Sequence, residues 1–135
     1  MYSLDELKQQ NQEIAQLCDV LSVLMDTPSL RANPFVDELL ARFRDKVWMH
    51  LVFEDNAVYA GLLKSNNQVT IDTAKAFHDS AVEIKHRFTG FIKQWRTAAN
   101  TNAEHETHCK DCREIFSMIR DRIDYENNQI FPLIS

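Results

Sequence analysis

Apolar side chains recur along this chain with a helical period, and two ionisable residues interrupt one of the stripes. From Val36 onward the run Val36, Leu40, Phe43, Val47, His50, Glu54, Ala57 steps every three or four residues, the spacing of a buried helical seam. His50 and Glu54 thus stand where a soluble helix carries apolar groups. Near the C-terminus the stripe Cys112, Ile115, Ile119, Glu126 sets another carboxylate on a core-facing line. An unpaired buried charge is costly, or its pKa moves until the group is neutral, so these residues must find partners. A His and two Glu facing a helical core point to a bundle metal site, or to the remains of one.

Four helices are predicted from the capping signals. Ser3-Leu-Asp-Glu6 is a capping box that opens helix 1, which should run to about Met25, before Pro28. Asn33 followed by Pro34 is an N-cap with proline at the first helical position, and helix 2 should continue to about Lys64. Ser65-Asn66-Asn67 reads as a turn, after which Thr70 or Asp72 caps helix 3, ending at about Arg96. Thr101-Asn-Ala-Glu104 is a second capping box, and helix 4 should end near Pro132. The connections are short, so consecutive helices are expected to be antiparallel neighbours in an up-down-up-down bundle spanning residues 1–135 as one domain.

That topology tests the site idea. Helices 1 and 3 start at the end of the bundle where helices 2 and 4 finish. At a helical rise of ~1.5 Å per residue, Glu54 lies roughly 15 Å above that end, Glu126 roughly 10 Å, His78 roughly 9 Å, Asn11 roughly 12 Å and His50 roughly 21 Å. Polar groups from all four helices therefore share one thick layer, and His50, Glu54, His78 and Glu126 are expected to converge there. His78 flanks the apolar stripe of helix 3 and is the weakest member, while His86 falls on the opposite, solvated face. Tyr59 and Tyr125 read as packing groups.

Composition narrows the class. Only 2 Gly and 3 Pro among 135 residues, with 44% hydrophobic residues, argue for an all-α protein long enough to bury a core. The net charge of -5 is interleaved along the chain and leaves no basic patch for nucleic acid. No apolar run is long enough for a membrane span, and the N-terminus has no signal-peptide pattern. Three cysteines, an odd count, do not form a disulfide framework, which fits a reducing cytoplasm.

One further cluster stands apart. His105, His108, Cys109 and Cys112 lie along one side of helix 4, with nitrogen and thiol groups suited to zinc or Cu(I). His108 is ~27 Å along the helix from Glu126, so the two groups cannot share an ion. All four come from one helix, with no second ligand pair except Cys18, so the cluster reads as helix surface and upper core. Cys109 is expected to be exposed and Cys112 to face inwards, which leaves a thiol redox role open.

The stretches His50-Leu-Val-Phe-Glu54-Asp-Asn-Ala-Val-Tyr59 and Arg122-Ile-Asp-Tyr-Glu126-Asn-Asn-Gln-Ile-Phe-Pro132-Leu resemble the hemerythrin family, specifically the bacterial HHE cation-binding domains. Phe77-His78 and Phe91-Ile-Lys-Gln-Trp95 on helix 3 fit as well. The resemblance implies a four-helix bundle holding a non-haem di-iron centre, used for oxygen binding, nitric oxide or redox sensing, and iron storage or repair.

This chain departs from that pattern at several ligands. Asn11 stands where the family has a His on helix 1, Arg122 replaces the His of the helix 4 His-x-x-x-Glu, and Val82 occupies the place of a second helix 3 His. What remains, His50, Glu54, His78 and Glu126, is too few for a standard dinuclear centre but enough for one Fe, Mn or Zn ion. A guanidinium is no ligand, and Arg122 lies one turn before Glu126, within reach of it and of Glu54. An Arg–carboxylate pair, with Asn11 beside it, would then balance the charges that iron neutralises in relatives.

The expectation is a cytoplasmic, non-enzymatic hemerythrin-like domain with a reduced or vestigial metal site, acting as a sensor or interaction module. It would carry no cofactor, or one non-haem metal ion with iron foremost. No output domain accompanies the bundle, so a signal would pass through an unidentified protein partner or self-association. The alternative is a functional mono- or di-iron protein that binds or senses oxygen, nitric oxide or peroxide.

Overall fold

The computed structural model describes residues 4–31, 33–97 and 102–134, and among them every regular element is helical. Helix α1 covers Leu4–Asp26 and α2 covers Pro34–Phe53, extended by a wider π-helical turn at Glu54–Tyr59 and a last turn at Ala60–Leu62. Helix α3 spans Gln68–Thr97. Helix α4 spans Asn102–Tyr125 and is likewise extended, through a π-helical turn at Glu126–Ile130 and the turn Phe131–Ile134. The expected caps Ser3 and Thr101, and the side chains of Glu104 and His105, lie outside the described part of the molecule.

Asn33 caps α2 as its sequence implies: its extended backbone precedes Pro34, and its side chain accepts a hydrogen bond from the Phe35 N–H at 2.9 Å. Helix α3 begins earlier than Thr70 or Asp72 would place it. Asn67 is the cap, its Oδ1 accepting from the Val69 N–H at 2.9 Å, and Ser65 Oγ in turn accepts from the Asn67 N–H. Pro132 does not end α4 but sits inside its final turn, just beyond the widened segment.

The helices pack α1 against α2, α3 against α4 and α1 against α4, with α2 touching α3, as an antiparallel four-helix bundle requires. The larger part of the core is apolar and aromatic. Phe43 meets Phe116 edge-on at 5.3 Å and Phe88 at 5.5 Å, and Trp48 meets Phe88 at 5.9 Å. A smaller apolar group of Leu7, Val58, Leu62, Ala74, Phe77, Ile130 and Phe131 closes the other end. Between the two lies a buried polar layer formed by Asn11, His50, Glu54, Arg122 and Glu126.

The π-helical turns change the register of the seam. Each begins at a buried carboxylate, Glu54 or Glu126, and the next buried residue comes four positions later, at Val58 and Ile130. Ala57, expected inside, is exposed for this reason. An i→i+5 bonding pattern holds more residues per turn than an α-helix, so the stripe rotates by about one position.

Candidate functional site

His50, Glu54 and Glu126 meet in the polar layer, with one ligand-type atom from each within 4.8 Å of the others. Glu54 and Glu126 are 0% exposed and His50 is 3% exposed. The His50 Nε2 atom is 2.9 Å from Glu126 Oε1 and 3.0 Å from Glu54 Oε1. Its other nitrogen, Nδ1, is 2.7 Å from Gln10 Oε1. The Gln10 amide oxygen and the ionised Glu126 carboxylate only accept, so Nδ1 donates to Gln10 and Nε2 donates to Glu126. His50 is therefore held as an imidazolium.

The electrostatics agree with that geometry. Burial by itself favours neutral His50, but the hydrogen bonds and charges of Glu126 and Glu54 outweigh it and push its pKa up to about 9. Burial, with the adjacent Glu126 charge, pushes Glu54 up to about 7 against the opposing pull of His50 and Arg122. Burial acts the same way on Glu126, yet His50 and Arg122 carry it below the ordinary carboxylate range. One carboxylate is thus firmly ionised while its partner holds a proton up to near-neutral pH.

Arg122 enters from α4 and is itself buried. Its Nη2 donates to Glu54 Oε1 at 3.4 Å, and its Nε is 3.1 Å from Glu126 Oε2. The second approach is an ion pair without hydrogen-bond alignment: neither Arg122 Nε nor Glu126 Oε2 has a hydrogen-bond partner among the described residues. Nη1 donates to the Phe77 carbonyl at 2.7 Å, and the guanidinium lies 3.8 Å from the centre of the Phe77 ring. Asn11 Nδ2 donates to Glu126 Oε1 at 2.9 Å. Arg122 and Asn11 thus stand with the acidic pair.

His78 is the expected member that the structure does not bring to the cluster. Phe77 points into the core, and a rotation of about 100° per residue places His78 on the flank of α3. There its Nδ1 is 3.1 Å from Asp55 Oδ1, and its ring stacks on Tyr59 at 4.5 Å. Lys85 Nζ approaches the same Asp55 at 3.7 Å. The depth of His78 in the bundle was legible, but its azimuth was not. His86 is exposed, as its face of the helix implies. Sequence reasoning missed Gln10 and the backbone carbonyl of Phe77; only the polarity of Gln10 beside Asn11 was a signal.

A bundle with a buried His–carboxylate cluster at one depth defines the class of protein. The hemerythrin HHE cation-binding domain model matches residues 3–134, and the chain belongs to that family. Comparison with curated proteins and with solved structures gives no significant match.

The family's metal chemistry can be set against the residues present. His50, Glu54 and Glu126 form a candidate site for one metal ion, and Glu54 Oε2 and Glu126 Oε2 lack hydrogen-bond partners among the described residues. A dinuclear centre does not fit. The cluster offers a single imidazole, and a permanent cation lies within 3.4 Å of both carboxylates.

Proposed function

We propose that this hemerythrin-family domain has exchanged its metal for Arg122 and serves as a non-enzymatic sensor or interaction module. The observation that carries this reading is the guanidinium paired with both buried carboxylates, at 3.1 and 3.4 Å, where the family pattern has a ligand His. Together with the imidazolium of His50 it balances the acidic pair with no further cation. Burial of His50, Glu54 and Glu126 supports the non-enzymatic part of this reading, since it leaves little surface at which a bulky substrate could meet them. Exposed apolar side chains, Val20 and Val23 on α1 and Met49 and Val52 on α2, offer contact area to a partner protein or a second copy. No described helix is long and apolar enough to cross a membrane, and the proposed setting is the cytoplasm.

The test is elemental analysis and absorption spectroscopy of protein purified without chelators or affinity histidines. Iron, manganese and zinc are expected to be substoichiometric, with no band beyond the aromatic region. One iron or more per chain, with visible absorption lost on His50→Ala, would overturn the reading. A second reading rests on the two carboxylate oxygens without hydrogen bonds: a single ion bound by His50, Glu54 and Glu126, with iron foremost, in a protein that binds or senses oxygen, nitric oxide or peroxide. It requires His50 to give up its Nε2 proton, so uptake would release a proton and fall steeply on acidification. Iron uptake without proton release is incompatible with it.

A further inference from the structure

The sulfur atoms at the other end of the bundle are arranged differently from the expectation that Cys109 is exposed and its neighbours come from one helix. Cys109 and Cys112 are each 2% exposed, and α1 brings Met25 and Cys18, at 2% and 0%, against them. Cys112 Sγ lies 3.3 Å from Met25 Sδ, and Cys109 Sγ donates to the Met25 carbonyl at 3.3 Å. Cys109 and Cys112 are one helical turn apart and so face the same way. Cys18 sits two turns before Met25 on α1, in the same buried cluster as Cys112. None of the three cysteines is in a disulfide.

Burial argues against a redox role for this cluster. Burial pushes the Cys18 thiol up to about 12 and raises Cys112 as well, so neither supplies a thiolate for exchange or oxidation at neutral pH. No zinc site is assembled here either: among the described residues the trio of His, Cys, Asp and Glu groups within 4.8 Å of one another is His50, Glu54 and Glu126. Two thiols and a thioether in an apolar, water-excluding setting suit a different class of ion. Monovalent copper is soft, accepts two or three sulfur ligands without a preformed tetrahedron, and displaces protons from thiols whose pKa is high.

We infer that Cys109, Cys112 and Met25 form a site for one Cu(I) ion, at the end of the bundle opposite the Arg122 cluster. Binding converts the two thiols to thiolates and releases two protons, with copper remaining Cu(I) and no electron transferred. Met25 Sδ completes the shell from α1, tying the end of α1 to the start of α4. The site is independent of the Arg122 pairing and survives or fails separately from it.

The experiment is an anaerobic titration of the reduced, metal-free full chain with Cu(I) against a chromophoric Cu(I) chelator, with native mass spectrometry for stoichiometry. One Cu(I) per chain should be retained in competition. Met25→Leu, which preserves apolar volume, should weaken retention by roughly tenfold or more, since removing a ligand exceeds the loss of a supporting contact. Cys112→Ala should abolish it. Circular dichroism establishes that each variant is folded. Copper-edge X-ray absorption of the wild type needs no variant and should show a shell of sulfur alone. Failure of the wild type to retain Cu(I), a nitrogen or oxygen shell, or retention unaltered in folded Met25→Leu and Cys112→Ala overturns the proposal.

Discussion

Phe43 and Glu54 lie on one continuous helix and are both 0% exposed, yet they are held by different physics. Phe43 is surrounded by Phe88, Phe116 and aliphatic groups, and its contribution is area removed from water together with close packing. Glu54 gains nothing from leaving water; it tolerates burial because His50 and Arg122 are placed against it and because it can hold a proton. The aromatic layer is stable on its own terms at any ordinary pH. The polar layer is conditional on partners drawn from all four helices, and each partner is a point at which it can be broken.

The two largest expected effects form a matched pair. Arg122→Ala leaves a buried acidic pair with one cation instead of two, and deleting one member of a buried ion pair typically costs about 3–5 kcal/mol. Phe43→Ala opens a cavity among Phe88 and Phe116 and costs about 3–5 kcal/mol. Urea denaturation at pH 7 should therefore show similar losses. The comparison is decided on acidification towards pH 4–5, where Glu54 is protonated and only Glu126 still calls for a counterion. The Arg122→Ala penalty should shrink there, while that of Phe43→Ala stays constant. Equal penalties at both pH values, or a neutral Arg122→Ala at pH 7, would remove the basis for treating Arg122 as the replacement for a metal.

Wild-type stability should itself follow the polar layer. His50 has its folded pKa raised from an ordinary 6.5 to about 9, so its contribution is complete below 6.5 and is lost as pH rises through about 9. Glu54 is raised from 4.5 to about 7, so it also loses stability as pH rises, over the lower window from 4.5 to 7. Glu126 is lowered, and its contribution is lost in the opposite direction, as pH falls below 4.5 through its folded value. Melting temperature should thus decline from pH 6.5 to 9, and His50→Gln should flatten that decline. A wild-type profile that is flat over this range would show that His50 is not held as an imidazolium.

Asn11→Ala is a smaller perturbation of the same layer. It removes the amide donor to Glu126 Oε1, and an unmet buried hydrogen bond costs about 1–3 kcal/mol. A loss seen in wild type but absent in the Glu126→Gln background would place the effect on this contact. The smallest effect expected is at a site remote from both layers. Asn33→Ala removes the α2 cap and should cost about 1 kcal/mol at every pH, measured by the same denaturation, with Asn33→Asp close to neutral.

The stripes through Phe43, Val47 and His50, and through Cys112, Ile115 and Ile119, specified the buried faces of two helices because a period of three to four residues is that of a helix, while capping and turn signals delimited all four. Asn33-Pro34 located one helix start from local chemistry alone. His50, Glu54 and Glu126 were legible as misfits on those faces, simple rise per residue put them and Asn11 in one thick layer, and the family resemblance singled out Asn11 and Arg122. What escaped were quantities with no local signature. His78 lies at the right depth but on the wrong side of its helix, and its neighbour Phe77 already held the inward position. Cys109, assigned to the surface from its place on one helix, is covered because α1 lies over it.

Sequence alone determined the secondary structure, the antiparallel order implied by short connections, and the presence of a buried acidic pair that needs a counter-charge. Those properties depend on residue type, spacing and the energetic cost of burying charge, all local or nearly so. Tertiary structure decided that Arg122 is anchored on the Phe77 carbonyl, that Gln10 meets the ring of His50, and that Met25 closes on the thiols of α4. Such pairings depend on helix rotation and on the π-helical turns at Glu54 and Glu126. A shift of one residue's azimuth, about 100°, separates a buried ligand from a surface contact.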